Sequence, residues 1–259
     1  MATTTPMSMA MLMIIPTGIP TAMTDQASLS ALYRLMTFLS PGFPVGAFTY
    51  SHGLEQMVED GSVADTAGLT SWLEDLLRHG GARGDAILLK DTLHAAHLGN
   101  AAALQDLRDL GLALQPSKER HLETSAQGTA FVATIQTSWL PKGDTPAAGL
   151  CRSMFQGDDQ DWPYPVAVGL ACAAHAVPEA AALTAYLQAF TANLVSAAIR
   201  TVPLGQNEGQ SILAKLEPVI FEVVEEARAA SLNDLGSSTF LADIASMAHE
   251  TQYSRLFRS

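Results

Sequence analysis

The stretch Asp65-Thr66-Ala67-Gly68-Leu69-Thr70-Ser71-Trp72-Leu73-Glu74-Asp75-Leu76-Leu77 decides the architecture. Asp65 or Thr66 supplies an N-cap oxygen. Leu69, Trp72, Leu73, Leu76 and Leu77 then recur at helical spacing and share one face. The same period runs outward in both directions. Ser28 reads as an N-cap ahead of Leu29, Leu32, Leu35, Met36 and Leu39. Residues 85–98 and 100–114 are Ala/Leu-rich and meet at Gly99-Asn100, a helix-ending pair. Residues 117–137, 179–200, 207–230 and 238–250 continue the series, with Pro218 expected to kink or split its helix. The segment 141–165, punctuated by Pro141, Gly143, Pro146, Gly157, Pro163 and Pro165, reads as a long loop. No run alternates strictly, so no sheet is expected. The fold class is all-α: one compact multi-helix domain over residues 27–248, preceded by a flexible extension (1–26) and followed by a tail (249–259).

The chain has 259 residues, of which 48% are hydrophobic and 15% charged, the signature of a globular protein. A net charge of -12 without any basic run argues against nucleic acid, whose phosphates require clustered Lys and Arg. Cys151 and Cys172 are the only cysteines and form no CxxC pair, so no disulfide framework is expected and a reducing cytoplasm is the default. Residues 1–24 hold no Lys, Arg, Asp or Glu, so the apolar run Met9–Ile15 lacks the basic flank of a signal peptide. The Met-rich character of this stretch leaves a metal-binding arm as a lesser alternative. No segment is read as a membrane span.

Four places invite a functional reading. Ser40-Pro41-Gly42-Phe43-Pro44-Val45-Gly46-Ala47-Phe48-Thr49-Tyr50-Ser51-His52-Gly53-Leu54-Glu55 is an irregular segment rich in aromatics, either a packed helix–loop–helix corner or an interaction surface. It lacks the endings of a P-loop and of a nucleophile elbow. Arg120, Glu123, Thr124, Gln127 and Gly128 form one polar stripe, either a solvated face or the wall of a polar passage. Gly128 there permits a close approach. His94 and His97 share a helix face, but spacing identifies no third ligand, so no fixed metal site is assigned. A helical metal-dependent hydrolase built on His94 and His97 is the alternative reading. Finally, Tyr253, Arg255, Leu256, Phe257 and Arg258 crowd the C-terminus with interface-type side chains. Such a tail needs a groove, in its own domain or in a partner. Nothing combines a nucleophile with a placed acid–base pair, so no catalytic residue is assigned.

Five stretches carry a resemblance: SPGFPVGAFTYSHGLE (40–55), R-x-x-ET-x-x-QG (120–128), YPVAVG (164–169), VPLGQ (202–206) and HETQYSRLFRS (249–259). Together, and in this order, they resemble the urease accessory protein UreF family over nearly the whole chain after residue 24. Thr49, Val168 and Asn207-Glu208 are mild departures, standing where Ser, Phe and Thr-Asp are commoner. The resemblance implies a non-catalytic, all-helical, cytoplasmic protein that dimerises. It implies binding to UreD (also called UreH) and to the GTPase UreG, whose hydrolysis it regulates, and action on apo-urease during nickel insertion. It implies no cofactor of the chain's own, although nickel passes through the complex. On that basis Tyr50, His52, Glu55, Gln206, Tyr253, Arg255, Leu256, Phe257 and Arg258 are expected at partner or dimer contacts, with Phe257 and Leu256 as anchors of a tail that orders on binding UreD. Arg120, Glu123 and Gln127 are expected along a polar passage.

Overall fold

At the centre lies a helix with no polar face. Tyr164–Ala174 (α8) buries Pro165 through Ala173 without interruption, as a helix surrounded by other helices must. In this computed structural model, which describes Met1 and residues 21–156 and 160–258, ten further α-helices assemble around it. They are Thr21–Phe38 (α1), Leu54–Glu59 (α2), Thr66–His79 (α3), Gly81–His97 (α4), Ala101–Ala113 (α5), Lys118–Ser138 (α6), Pro146–Phe155 (α7), Glu179–Thr201 (α9), Gln206–Ala229 (α10) and Phe240–His249 (α11). The described residues contain no strand. The expectation of an all-α domain therefore holds. Helices α4, α6 and α7 pack on α8, α10 lies along α9 and α3, and α11 sits on α2 and α6.

Local chemistry explains the element boundaries. The side chains of Asp65, Asn100, Ser117 and Thr145 each accept the N–H three residues on and so cap α3, α5, α6 and α7. Helix α10 is capped by the residue just ahead of Gln206. Gly205 is the N-cap, and the Glu208 carboxylate accepts its N–H at 2.7 Å. Pro218 neither splits nor ends α10, which is continuous around it.

Two sequence expectations are corrected. Residues 146–155 are helical, not loop: Pro146 at the first turn after the Thr145 cap starts α7, since proline's missing N–H is no loss there. Helix α1 begins at Thr21, so Ser28 lies inside it and the helix crosses the expected boundary at residue 27. Its buried face is Ala31, Leu35 and Phe38, whereas Leu29, Leu32, Tyr33 and Met36 are exposed. The Met-rich run Met9–Ile15 lies outside the described residues. Helix α9 is long and apolar enough by composition to cross a membrane, but half of that window is buried inside this domain.

Among the described glycines, Gly128 makes the tightest approach. A Cβ there would fall 1.8 Å from the carbonyl oxygen of Trp162. Only glycine lets the chain entering α8 lie flat against α6, and the Thr124 hydroxyl accepts the Tyr164 N–H beside it at 3.0 Å.

Candidate functional site

The C-terminal tail is docked on its own domain. The Glu55 carboxylate accepts the amides of Leu256 at 2.6 Å and Phe257 at 2.9 Å. Glu119, at the start of α6, receives Arg255 Nη1 at 2.7 Å. His249, fully buried, stands between the two acids, Nε2 to Glu55 at 3.1 Å and Nδ1 to Glu119 at 2.7 Å. Phe257 is 4% exposed, with the Arg200 guanidinium 4.3 Å over its ring, and the Arg258 amide donates to Thr49. Charged partners make such bonds stronger than average, about 1.5–3 kcal/mol each.

These contacts redistribute the expected partner residues. Phe257 is spent inside the chain, and Tyr50 is 3% exposed. Neither is available as an outward anchor. Glu55 is a fastening for the tail. Tyr253 and Leu256 do face outward, as do Arg255, Arg258 and Gln206. The face that sequence reading missed is on α11, where Phe240, Leu241, Ile244 and Met247 are 48–73% exposed. Their spacing of 1, 4 and 7 was legible as a helical stripe; that it points to solvent was not.

The segment 40–55 folds as a corner pinned by Phe43 and Val45, leaving Phe48 outside. Its end is sharply turned. His52 and Gly53 have φ values of 56° and 79°, and a Cβ at Gly53 would stand 2.7 Å from the Ser246 nitrogen of α11. A left-handed conformation at a non-glycine residue is uncommon and tends to mark functional positions.

The stripe on α6 is buried rather than solvated: Arg120, Glu123, Thr124 and Gln127 are all 8% exposed or less. With residues 39–48 and α9 they bound a cavity of about 230 Å³. A second cavity of about 100 Å³ lies between the α3–α4 corner, the α5–α6 link and α11. His52, Asp85, Arg120 and Phe190 line both. At this shared wall Arg120 Nη1 contacts His52 Nε2 at 2.7 Å and also the Glu123 carboxylate. His52 Nε2 lies 2.7 Å from Glu123 Oε1, which accepts Gln127 Nε2 at 3.0 Å. Burial and the neighbouring Arg120 charge outweigh Glu123 and hold the His52 pKa below its ordinary value.

Asp85 is a residue that sequence reading passed over. Burial pushes its carboxyl up to about 6, against the favourable Arg120 charge and the hydrogen bond from the Tyr186 hydroxyl at 2.9 Å. The signal was present as a lone acid among Gly81, Ala82, Ala86 and Leu89 on α4, but its neighbours come from α6 and α9.

His94 is engaged elsewhere. Its Nε2 lies 2.5 Å from Glu179, which also receives Arg228 at 2.8 Å, tying α4, α9 and α10 together at the surface. His97 is exposed. No group of three or more His, Cys, Asp or Glu among the described residues could hold a metal ion, so the hydrolase alternative gains no third ligand. Burial pushes both cysteine thiols up to about 12, far from reactive thiolates.

Comparison with known proteins places these features in a family. The family model UreF matches residues 63–217. A urease accessory protein UreF of Rhodopseudomonas palustris strain HaA2 is 50% identical over 230 residues, covering 89% of this chain and 94% of that one. The protein of the same name from Bradyrhizobium diazoefficiens is 44% identical over 249 residues, covering 95% and 100%.

Proposed function

Because this chain belongs to the urease accessory protein UreF family, we propose that it serves urease maturation as a non-catalytic chaperone and scaffold in the cytoplasm. In this reading it binds UreD and UreG, dimerises within their complex, presents that assembly to apo-urease and regulates hydrolysis of GTP by UreG. Nickel is cargo and no cofactor is resident. The observation that supports the scaffold role is the outward apolar stripe of α11, Phe240, Leu241, Ile244 and Met247, with Leu256 and Tyr253 exposed on the adjoining tail. Apolar side chains in that arrangement leave a helix face that no described residue covers. UreD is the partner assigned to this face, with the self-docked tail extending it.

The cavities beside Arg120, Glu123 and Gln127 supply the polar passage. They run from the 39–48 segment and α9 to the inward face of α11, where Ala242, Asp243 and Ser246 line the smaller cavity. Hydrated cations travel past polar walls without a tight site.

Ile244→Asp places a charge at the centre of the stripe without touching the core. Equilibrium binding of the variant to UreD should weaken at least tenfold, with helical content unchanged. Wild-type affinity in a folded Ile244→Asp protein would remove α11 from the interface. Deleting residues 249–259 is a poorer test, because it also removes the buried His249 and Phe257.

A further inference from the structure

We infer that α1 is the middle layer of a three-layer stack, and that its outer layer is the chain's own uncharged extension. Residues 9–15, which lie outside the described residues, run antiparallel over Leu29, Leu32, Tyr33 and Met36. This seat is separate from the α11 face and does not depend on the maturation role.

Helix α1 is apolar on two sides. Ala31, Leu35 and Phe38 face the domain at 0–8% exposed, while Leu29, Leu32, Tyr33 and Met36 stand 53–68% exposed. The outer four, at offsets of 3, 4 and 7, form one continuous stripe. A helix with a single buried face carries charge on the other. Between residues 27 and 39 the one charged residue is Arg34, and its Nη1 turns back to donate to the His175 carbonyl at 3.1 Å. The outer side therefore has the composition of a buried face. On the inner side the grip centres on Phe38, the last residue of the helix, whose ring meets Phe43, Phe131, Trp139 and His175.

Reach names the occupant. Helix α1 begins at Thr21, and Pro16-Thr17-Gly18-Ile19-Pro20 joins it to residues 9–15. Proline and glycine in that link favour a reversal of the chain. Leu29 stands about 12 Å along α1 from Thr21. A packed neighbour sits about 8–10 Å off the axis, so the link must span about 15 Å. Its residues extend to about 17 Å. The stripe from Leu29 to Met36 is about 10 Å long, which is the rise of a helical run the length of residues 9–15.

Chemistry names the same occupant. Met9-Ala10-Met11-Leu12-Met13-Ile14-Ile15 is wholly apolar, and residues 1–24 hold no Lys, Arg, Asp or Glu. A second copy of the chain would bring its net charge of -12 to the contact; the extension brings no charged side chain. Unbranched methionine side chains fill the irregular relief around the Tyr33 ring. The short link also holds the run at an effective concentration on the order of millimolar, ahead of any untethered competitor.

The full chain serves for the test. Cys151 and Cys172 are both buried, so Ser8→Cys supplies one thiol open to a nitroxide label. Paramagnetic broadening should reach the Tyr33 ring and the Met36 methyl. Met11→Asp/Ile14→Asp puts charge into the run and leaves the described domain untouched. It should abolish the broadening, and the amide hydrogens of residues 29–36 should exchange at least tenfold faster. Undisturbed Tyr33 and Met36 signals overturn the seat, as does broadening that persists in Met11→Asp/Ile14→Asp. Broadening passed to an unlabelled chain in a mixture makes a second copy the occupant and overturns it too. Equal exchange with and without the two substitutions has the same force.

Discussion

Glu55 on α2 accepts the main-chain amide of Phe257 at 2.9 Å, across 202 residues of sequence. The same carboxylate holds the Leu256 amide and faces His249. One acid thereby sets where the tail lies, and the tail sets the direction of Tyr253 and Leu256. Replacing Glu55 with Gln keeps the shape and removes the charge. The amides of residues 256 and 257 should then exchange hydrogen at least tenfold faster, at a stability cost of about 1–3 kcal/mol. Unchanged protection of those two amides would show that Phe257 burial alone holds the tail.

Gly128→Ala should be among the most damaging single substitutions in the chain. Its Cβ would overlap the Trp162 carbonyl, a backbone atom that cannot swing aside. Urea denaturation should show a loss of about 3 kcal/mol or more. A loss under about 1 kcal/mol would mean that α6 and the entry to α8 separate easily.

Asp85 makes stability depend on pH with a definite sign. Its pKa rises from 3.8 to about 6 on folding, so the native state binds the proton more tightly than the unfolded chain. That contribution is complete below pH 3.8 and is lost as pH rises through about 6. Asp85→Asn, neutral throughout, should therefore be more stable than wild type at pH 8, by on the order of 3 kcal/mol. The difference should shrink through pH 6 and vanish near pH 4. A difference independent of pH would place the Asp85 carboxyl in solvent.

How much of this was legible beforehand follows from what each feature depends on. The α3 face, Leu69 to Leu77, was readable because its period and its Asp65 cap are local. Helix α7 was not, because Pro146 breaks a helix interior yet starts a helix at its first turn, and the letter is the same. The stripe Arg120–Gln127 was visible as a stripe, but whether it faced water depended on α9 and on residues 39–48 folding over it. Glu119 and His249 are 130 residues apart and meet only when α11 crosses α6. The tail announced that it needed a groove, while the identity of that groove lay in Glu55, Glu119 and Arg200 on three other elements.

The most direct measurement of the scaffold account is reconstitution of urease from apo-urease, UreD, UreG, nickel and GTP, with nickel content and activity read together. Adding this chain should raise both well above the chain-free level, and the folded Ile244→Asp variant should leave both at that level. Equal activation with and without the chain would contradict the account.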